Sequence, residues 1–433
     1  MKVQNKLNQV LTLVLLSVIT LSACSEKTNN GLVAAPNLKK LSIEEKNLDR
    51  IDSLLASGLV NNWMAGATAL VAVNGKVIYD KGFGFRDRES KALMRPIEEF
   101  RIASMTKPIV TAAAMKLVEE GKLKLSDPVS KYIPEFANMK VLASFNAKDT
   151  TYTTVDANSP ITIKNLMTHT SGIGYSFIDP RLGLIYKQKG IPDLAVADNI
   201  TIKDKMPKLG TSPLGVQPNS MFYYGLSIDV LGQVIQTISG KNLDEYVNET
   251  ILKPLGMTDT YFFIPAEKAN RLSVLYSEEK NGRLERLPNI SNGYNVNYPI
   301  TGARTYFSGG SGLSSTVEDY AKFLQMILNG GSFGGKQILS AEMVKEMTTN
   351  QIGNLNVNGK NKFGLGFEIA TEAGLKNGAK VGKLSWGGIF NTTFWIDPQR
   401  KSIAILMTQV YPSIHQKQLY SQFEQLVNDS LDR

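Results

Sequence analysis

Ser104-Met105-Thr106-Lys107 sets a hydroxyl and an amine three residues apart. The alanine-rich apolar run that follows, closed by Gly121, predicts a helix over 104–120 with Ser104 at its N-terminus. Lys107 then lies one turn on, on the same face and within reach of the hydroxyl. A serine is a poor nucleophile until a base takes its proton, and a desolvated lysine can serve. The helix N-terminus also favours negative charge developing there. This is the chemistry of nucleophilic catalysis by an activated serine. An N-cap serine followed by a solvated lysine has the same spacing.

Gly330-Gly331-Ser332-Phe333-Gly334 is a rival of the G-x-S-x-G form, and Asp397 and His415 follow it in Ser…Asp…His order. That chemistry needs a strand, a sharp turn and then a helix. Here a helical pattern over 317–328 precedes Ser332 and glycines surround it, so a helix end and a turn are expected instead. Histidine occurs only twice, at His169 and His415, and cysteine only at Cys24. No disulfide framework, cysteine-based zinc site or iron–sulfur cluster fits, and no metal or organic cofactor is implied.

Around these groups the 433 residues, 42% hydrophobic and 20% charged, supply a sizeable core and exclude disorder. The net charge of +9 is spread without dense basic runs, which argues against a nucleic-acid partner. Ser42 and Glu45 form a capping box for an amphipathic helix over 42–57. Strands at 67–73 and 76–82 are joined by Asn74-Gly75, a hairpin signal. Helices follow at 226–239, 243–251 and 317–328, then strands at 364–369, 392–396 and 403–409, and a last helix over 416–431. Strands at both ends enclosing a helix-rich middle predict an α/β (α+β) fold, with one antiparallel sheet sandwiched by helices. The sheet part would span 41–125 and 310–433, and the inserted helical region 126–309.

The first residues form a leader, with Lys2 and Lys6 ahead of an apolar stretch over 10–21 that is too short to cross a bilayer. It ends in Leu21-Ser22-Ala23-Cys24, which resembles the lipobox of bacterial lipoproteins. The resemblance implies a signal peptide over 1–23, acylation of Cys24, and a polar tether over 24–40. It also implies attachment to a membrane of the bacterial cell envelope, with Ser25 favouring outer-membrane sorting to the periplasmic or surface side.

Residues 100–136, FRIASMTKPIVTAAAMKLVEEGKLKLSDPVSKYIPEF, resemble the serine β-lactamase and penicillin-binding-protein superfamily. The likeness continues, in family order, through NLMTHTSGI (165–173), FYYGLSIDVLG (222–232), 309–331 and LSWGGIFNTTFWIDP (384–398). Within that group the chain is most similar to the family VIII carboxylesterases. The resemblance implies a β-lactamase/transpeptidase-like fold, Ser104 as acylated nucleophile and Lys107 as its basic partner. The second family motif begins at one of two adjacent tyrosines. The Asp229–Gly232 register favours Tyr224 as general base, activated by the charge of Lys107, and one residue of slip gives Tyr223. Leu226 then stands where β-lactamases carry an asparagine at the substrate. The third motif falls on Trp386-Gly387-Gly388 in place of Lys-Thr-Gly, so these residues join Tyr223 and Leu226 as candidate substrate-binding positions. The N–H groups of Ser104 and Ile389 would form the oxyanion hole. His169 belongs to a structural loop in this framework, and His415 to an exposed position near the last helix.

The expectation is a serine hydrolase acting on small-molecule carboxylic esters. A β-lactamase or D-alanyl-D-alanine carboxypeptidase is the first alternative, and a non-catalytic sensor on the same fold the second.

Overall fold

The structure, a computed structural model, describes residues 30–41, 43–291 and 294–432. Cys24 and the leader lie outside them. Eight strands form the path of the main sheet: β1 (Val33–Ala34), β2 (Gly66–Val73), β3 (Lys76–Asp87), β4 (Lys362–Phe363), β5 (Glu368–Ile369), β6 (Leu384–Gly388), β7 (Thr392–Asp397) and β8 (Ser402–Met407). Their order is β1-β3-β2-β8-β7-β6-β5-β4, with Ala92–Leu93 added beside β3. Five helices matter most here: α1 (Glu45–Val60), α2 (Thr106–Glu119), α3 (Ser227–Ser239), α4 (Val317–Leu328) and α5 (Gln416–Leu431).

Strand β8 is buried along its whole length, and its alternation divides two cores. Ile403, Ile405 and Met407 face a large core with Phe394, α2 and α4. Ala404 and Leu406 face the other side, where Leu48, Ile51 and Leu55 of α1 meet Leu419, Phe423 and Val427 of α5. Sheet strands thus come from both ends of the chain and the helices cover both faces. The Asn74-Gly75 hairpin forms as the dipeptide requires, with positive φ at both residues (49° and 71°).

Several expectations need correction. The sheet is mixed, because β1 runs parallel to β3. The segment expected to be a free tether is docked from Asn30 onward: its side-chain amide donates to Ser332 Oγ (2.5 Å), and Val33 N donates to Gly75 O (3.0 Å). Helix α1 begins at Glu45, is preceded by Glu44 without a side-chain cap, and runs on to Val60. The strand expected over 364–369 is a hairpin, since Gly364 N bonds Phe367 O and Gly366 (φ 89°) turns the chain between β4 and β5. The insertion contains hairpins as well as helices, at Lys140–Phe145 with Tyr152–Asp156 and Tyr276–Glu278 with Leu284–Arg286.

Candidate active site

Ser104 sits in a single tight turn, Ala103–Met105, that leads into α2. Ala103 is fully buried with φ 42°, a left-handed conformation that costs an L-residue roughly 1–2 kcal/mol. Neighbours hold the turn in place. Tyr320 donates its hydroxyl to Met105 O (2.9 Å), Leu313 N donates to Thr106 Oγ1 (3.0 Å), and Ile102 N to Leu313 O (3.1 Å).

Lys107 is 1% exposed, so its amine must find partners inside the protein. It donates to Ser104 Oγ (3.0 Å), Tyr175 OH (3.1 Å) and the carbonyl of Gly310 (2.8 Å), which uses all three donors of an ammonium. Burial, with Tyr224 and Asp229 nearby, pushes the Tyr175 phenol well above its usual range, so it stays protonated. Behind Gly310 lies Asp229, fully buried on α3, accepting from Ser308 Oγ (2.6 Å) and Gly310 N (3.2 Å). Burial holds its carboxyl above the ordinary value, opposed by the Ser308 hydroxyl and the charge of Lys107. Neither Tyr175 nor Gly310 was assigned a role from sequence. Their only signals are glycine-rich loops, Gly172-Ile173-Gly174 and Gly309-Gly310, placed beside the nucleophile by the fold.

The two adjacent tyrosines separate cleanly. Tyr224 OH donates to Ser104 Oγ at 2.7 Å, and its ring centre lies 4.7 Å from Lys107 Nζ. Tyr223 donates to Asp179 Oδ2 (2.5 Å), an acid also bound by Arg181, and does not line the cleft. Leu226 is 0% exposed and belongs to the main core, so it cannot touch a substrate. Both expected substrate positions are thereby corrected: Tyr223 N donates to the His169 carbonyl (2.7 Å) and Leu226 N to that of Gly174 (3.4 Å), and neither residue lines the cleft.

Trp386, Gly387, Gly388 and Ile389 do line the cleft with Ser104 and Tyr224, in a space of about 510 Å³. Strand β6 pairs with β5 only through Leu384 and Ser385, which leaves 386–388 without a partner strand on that side. A Cβ added at Gly388 would lie 2.4 Å from the Ile102 carbonyl, so only glycine lets β6 approach the nucleophile's turn this closely. The Trp386 ring meets Tyr224 edge-on at 5.4 Å and Phe363 at 5.3 Å. His169 (φ 53°) completes this aromatic cluster 4.7 Å from Tyr224; it is fully buried, and neither ring nitrogen has a hydrogen-bond partner among the described residues. Burial and Lys107 keep it well below the usual histidine range, hence neutral.

The cleft's other cation, Lys383, is paired with Glu424. Arg304 is occupied elsewhere, by the carbonyls of Ile264 (3.0 Å) and Ile300 (3.2 Å). The rival triad does not assemble. Ser332 holds Asn30, Asp397 binds Arg400 (2.6 Å), and His415 faces the Glu278 carboxylate. His415 is also half-buried, not exposed as expected, because its ring stacks on Trp63 at 4.8 Å. Among the described residues no group of three or more His, Cys, Asp or Glu is placed to hold a metal ion.

A family profile described as Beta-lactamase matches residues 51–427. An uncharacterized protein of Mycobacterium tuberculosis is 31% identical over 368 residues, covering 81% of this chain and 87% of its own length. Esterase EstB of Burkholderia gladioli is 28% identical over 372 residues, covering 83% and 89%. Among solved structures, EstCE1, described as a hydrolase with promiscuous acyltransferase activity, aligns with a TM-score of 0.76 at 25% identity, covering 88% of this chain and 98% of its own. With Ser104, Lys107 and Tyr224 inside the matched span, the chain belongs to the beta-lactamase family, as a serine hydrolase of the β-lactamase/transpeptidase-like fold.

Proposed function

We propose that the protein hydrolyses carboxylic esters through an acyl-enzyme on Ser104. The observation that carries this reading is the hydrogen-bonded cluster of Ser104, Lys107 and Tyr224 facing an aromatic wall with no unpaired cation among the described residues. With the Tyr224 phenol ionised beside the Lys107 ammonium, Ser104 Oγ bonds to the ester carbonyl carbon as its proton passes to the Tyr224 oxygen. The carbonyl electron pair moves onto oxygen, held by the N–H groups of Ser104 and Ile389. Collapse breaks the C–O bond to the alcohol, which leaves with the proton. Water then repeats the sequence and releases the acid.

A β-lactam or D-alanyl peptide would bring a carboxylate into the cleft. Without a cation to meet it, burial costs several kcal/mol, and Trp386 offers one N–H only. An ester needs no such group. The names of Esterase EstB and EstCE1 support the same direction. The test compares kcat/KM for p-nitrophenyl butyrate, a chromogenic cephalosporin and a D-Ala-D-Ala peptide. The ester should lead by at least a factor of about 100. A higher value for the cephalosporin or the peptide would replace this reading with a penicillin-recognising one.

We also propose that Cys24 is acylated and anchors the protein to the cell envelope, on the outer membrane. Support comes from the Leu21–Cys24 pattern at the end of an apolar leader, with cysteine nowhere else in the chain.

A further inference from the structure

A second cavity opens beside the cleft and shares two walls with it, Phe177 and Ile389. It encloses about 250 Å³. Leu194, Leu275, Leu287 and Phe390 line it, and the Phe390 ring is fixed by Tyr294 at 5.3 Å and Tyr411 at 6.2 Å. Asp193 is the one charged residue of its lining among the described residues; Ser176 N donates to it (2.9 Å), and burial holds its carboxyl above the ordinary value. This wall gives an anionic group no cation to meet and accepts an apolar one.

Position decides which part of an ester would enter. The alcohol must depart beside Tyr224 and Lys107, where its proton is supplied. Neither of those residues lines the cavity, nor does Trp386, which packs on Tyr224. The cavity begins at Ile389, the residue whose N–H is assigned above to the oxyanion, and continues past Phe390. With the oxyanion, the nucleophile and the departing alcohol assigned, the remaining substituent of the tetrahedral carbon points this way.

We infer that this cavity is the acyl pocket, and that the preferred substrates are esters of uncharged apolar acids. The inference rests on the ester-hydrolase reading. A dry apolar cavity of about 150 Å³ holds one benzene ring, so a space of about 250 Å³ suits an acyl group of about six to eight carbons or a phenylalkyl chain. Each buried methylene should raise kcat/KM by about fourfold until the pocket is full. Phe177, half exposed and stacked on Tyr175 at 4.9 Å, forms the partition between cavity and cleft.

The experiment fills the pocket from two walls, with Leu287→Trp and Leu194→Trp made separately. Folding of each is checked by thermal unfolding, and the folded one decides if the other fails. In the wild type, p-nitrophenyl hexanoate should exceed p-nitrophenyl acetate in kcat/KM. Filling should lower that ratio by about tenfold. The ratio of α-naphthyl acetate to p-nitrophenyl acetate, which varies the alcohol alone, should move less than twofold. An unchanged hexanoate-to-acetate ratio in a folded variant overturns the assignment and leaves the ester reading intact. A fall confined to α-naphthyl acetate makes the cavity an alcohol site. No turnover of any ester by the wild type removes both readings together.

Discussion

At the scale of single residues, two adjacent tyrosines with the same functional group have opposite fates. Tyr224 reaches Ser104, and Tyr223 reaches Asp179. Tyr224→Phe should therefore lower kcat/KM by about 10²–10⁴, the usual range for a lost acid–base group, with folding unchanged. Tyr223→Phe should fall mainly on stability, by about 1 kcal/mol, read as a shift in thermal midpoint. A larger kinetic loss for Tyr223→Phe would reverse the assignment. The second residue-scale expectation concerns histidine. A fluorophosphonate probe should label Ser104 in a His169→Phe, His415→Gln double variant and fail on Ser104→Ala. Loss of labelling in folded His415→Gln would revive the Asp397–His415 triad. Ser104 and Lys107 were legible because a helix makes positions three apart neighbours. Tyr175 and Gly310 were not, since they stand 68 and 203 residues from Lys107 and only the fold joins them.

Among the elements, β6 carries the most chemistry per residue. Gly388→Ala would drive a methyl group into the Ile102 carbonyl and Thr392 Oγ1, both 2.4 Å from the added carbon. The strand must move away, taking the Ile389 N–H with it. A loss of about 10²–10³ in kcat is expected, comparable to removing one oxyanion donor, with a lowered thermal midpoint. Glu99, on the segment entering the nucleophile's turn, gives a pH signature. Burial raises its carboxyl to about 8, the nearest cation being Arg271 at 4.0 Å. The folded state binds this proton more tightly than the unfolded chain, so its contribution is intact below the unfolded value near 4.5. It is lost as pH rises toward 8. Glu99→Gln should flatten that decline and raise the unfolding midpoint at pH 8 relative to wild type. An unaltered pH profile would refute the assignment. Elements with strong local signals, the Asn74-Gly75 hairpin and the helices α4 and α5, were readable in sequence. The 362–369 hairpin read as one strand because its turn is made by Gly364 and Gly366, which interrupt no hydrophobic pattern.

Across the whole molecule, a sheet assembled from both ends of the chain was foreseeable from the order of strands and helices. The parallel pairing of β1 was not, because two residues carry no periodicity. That small strand bears on the proposed anchor. Cys24→Ala should move the protein from the membrane to the soluble fraction, and full retention on the membrane would end the lipid proposal. Asn30 is clasped by Ser332, Gly335 and Asn329, and Val33 by Gly75. Residues 25–29 then lie between an acylated Cys24 and Asn30, a reach of at most roughly 20 Å. Such an enzyme would not sample the volume of its compartment. It would work in a thin layer against the lipid, where an ester that partitions into the same leaflet is present at an effective concentration far above its bulk value. Wild type on vesicles should therefore outpace the Cys24→Ala protein on a membrane-partitioning ester, while the two should match on a freely soluble one.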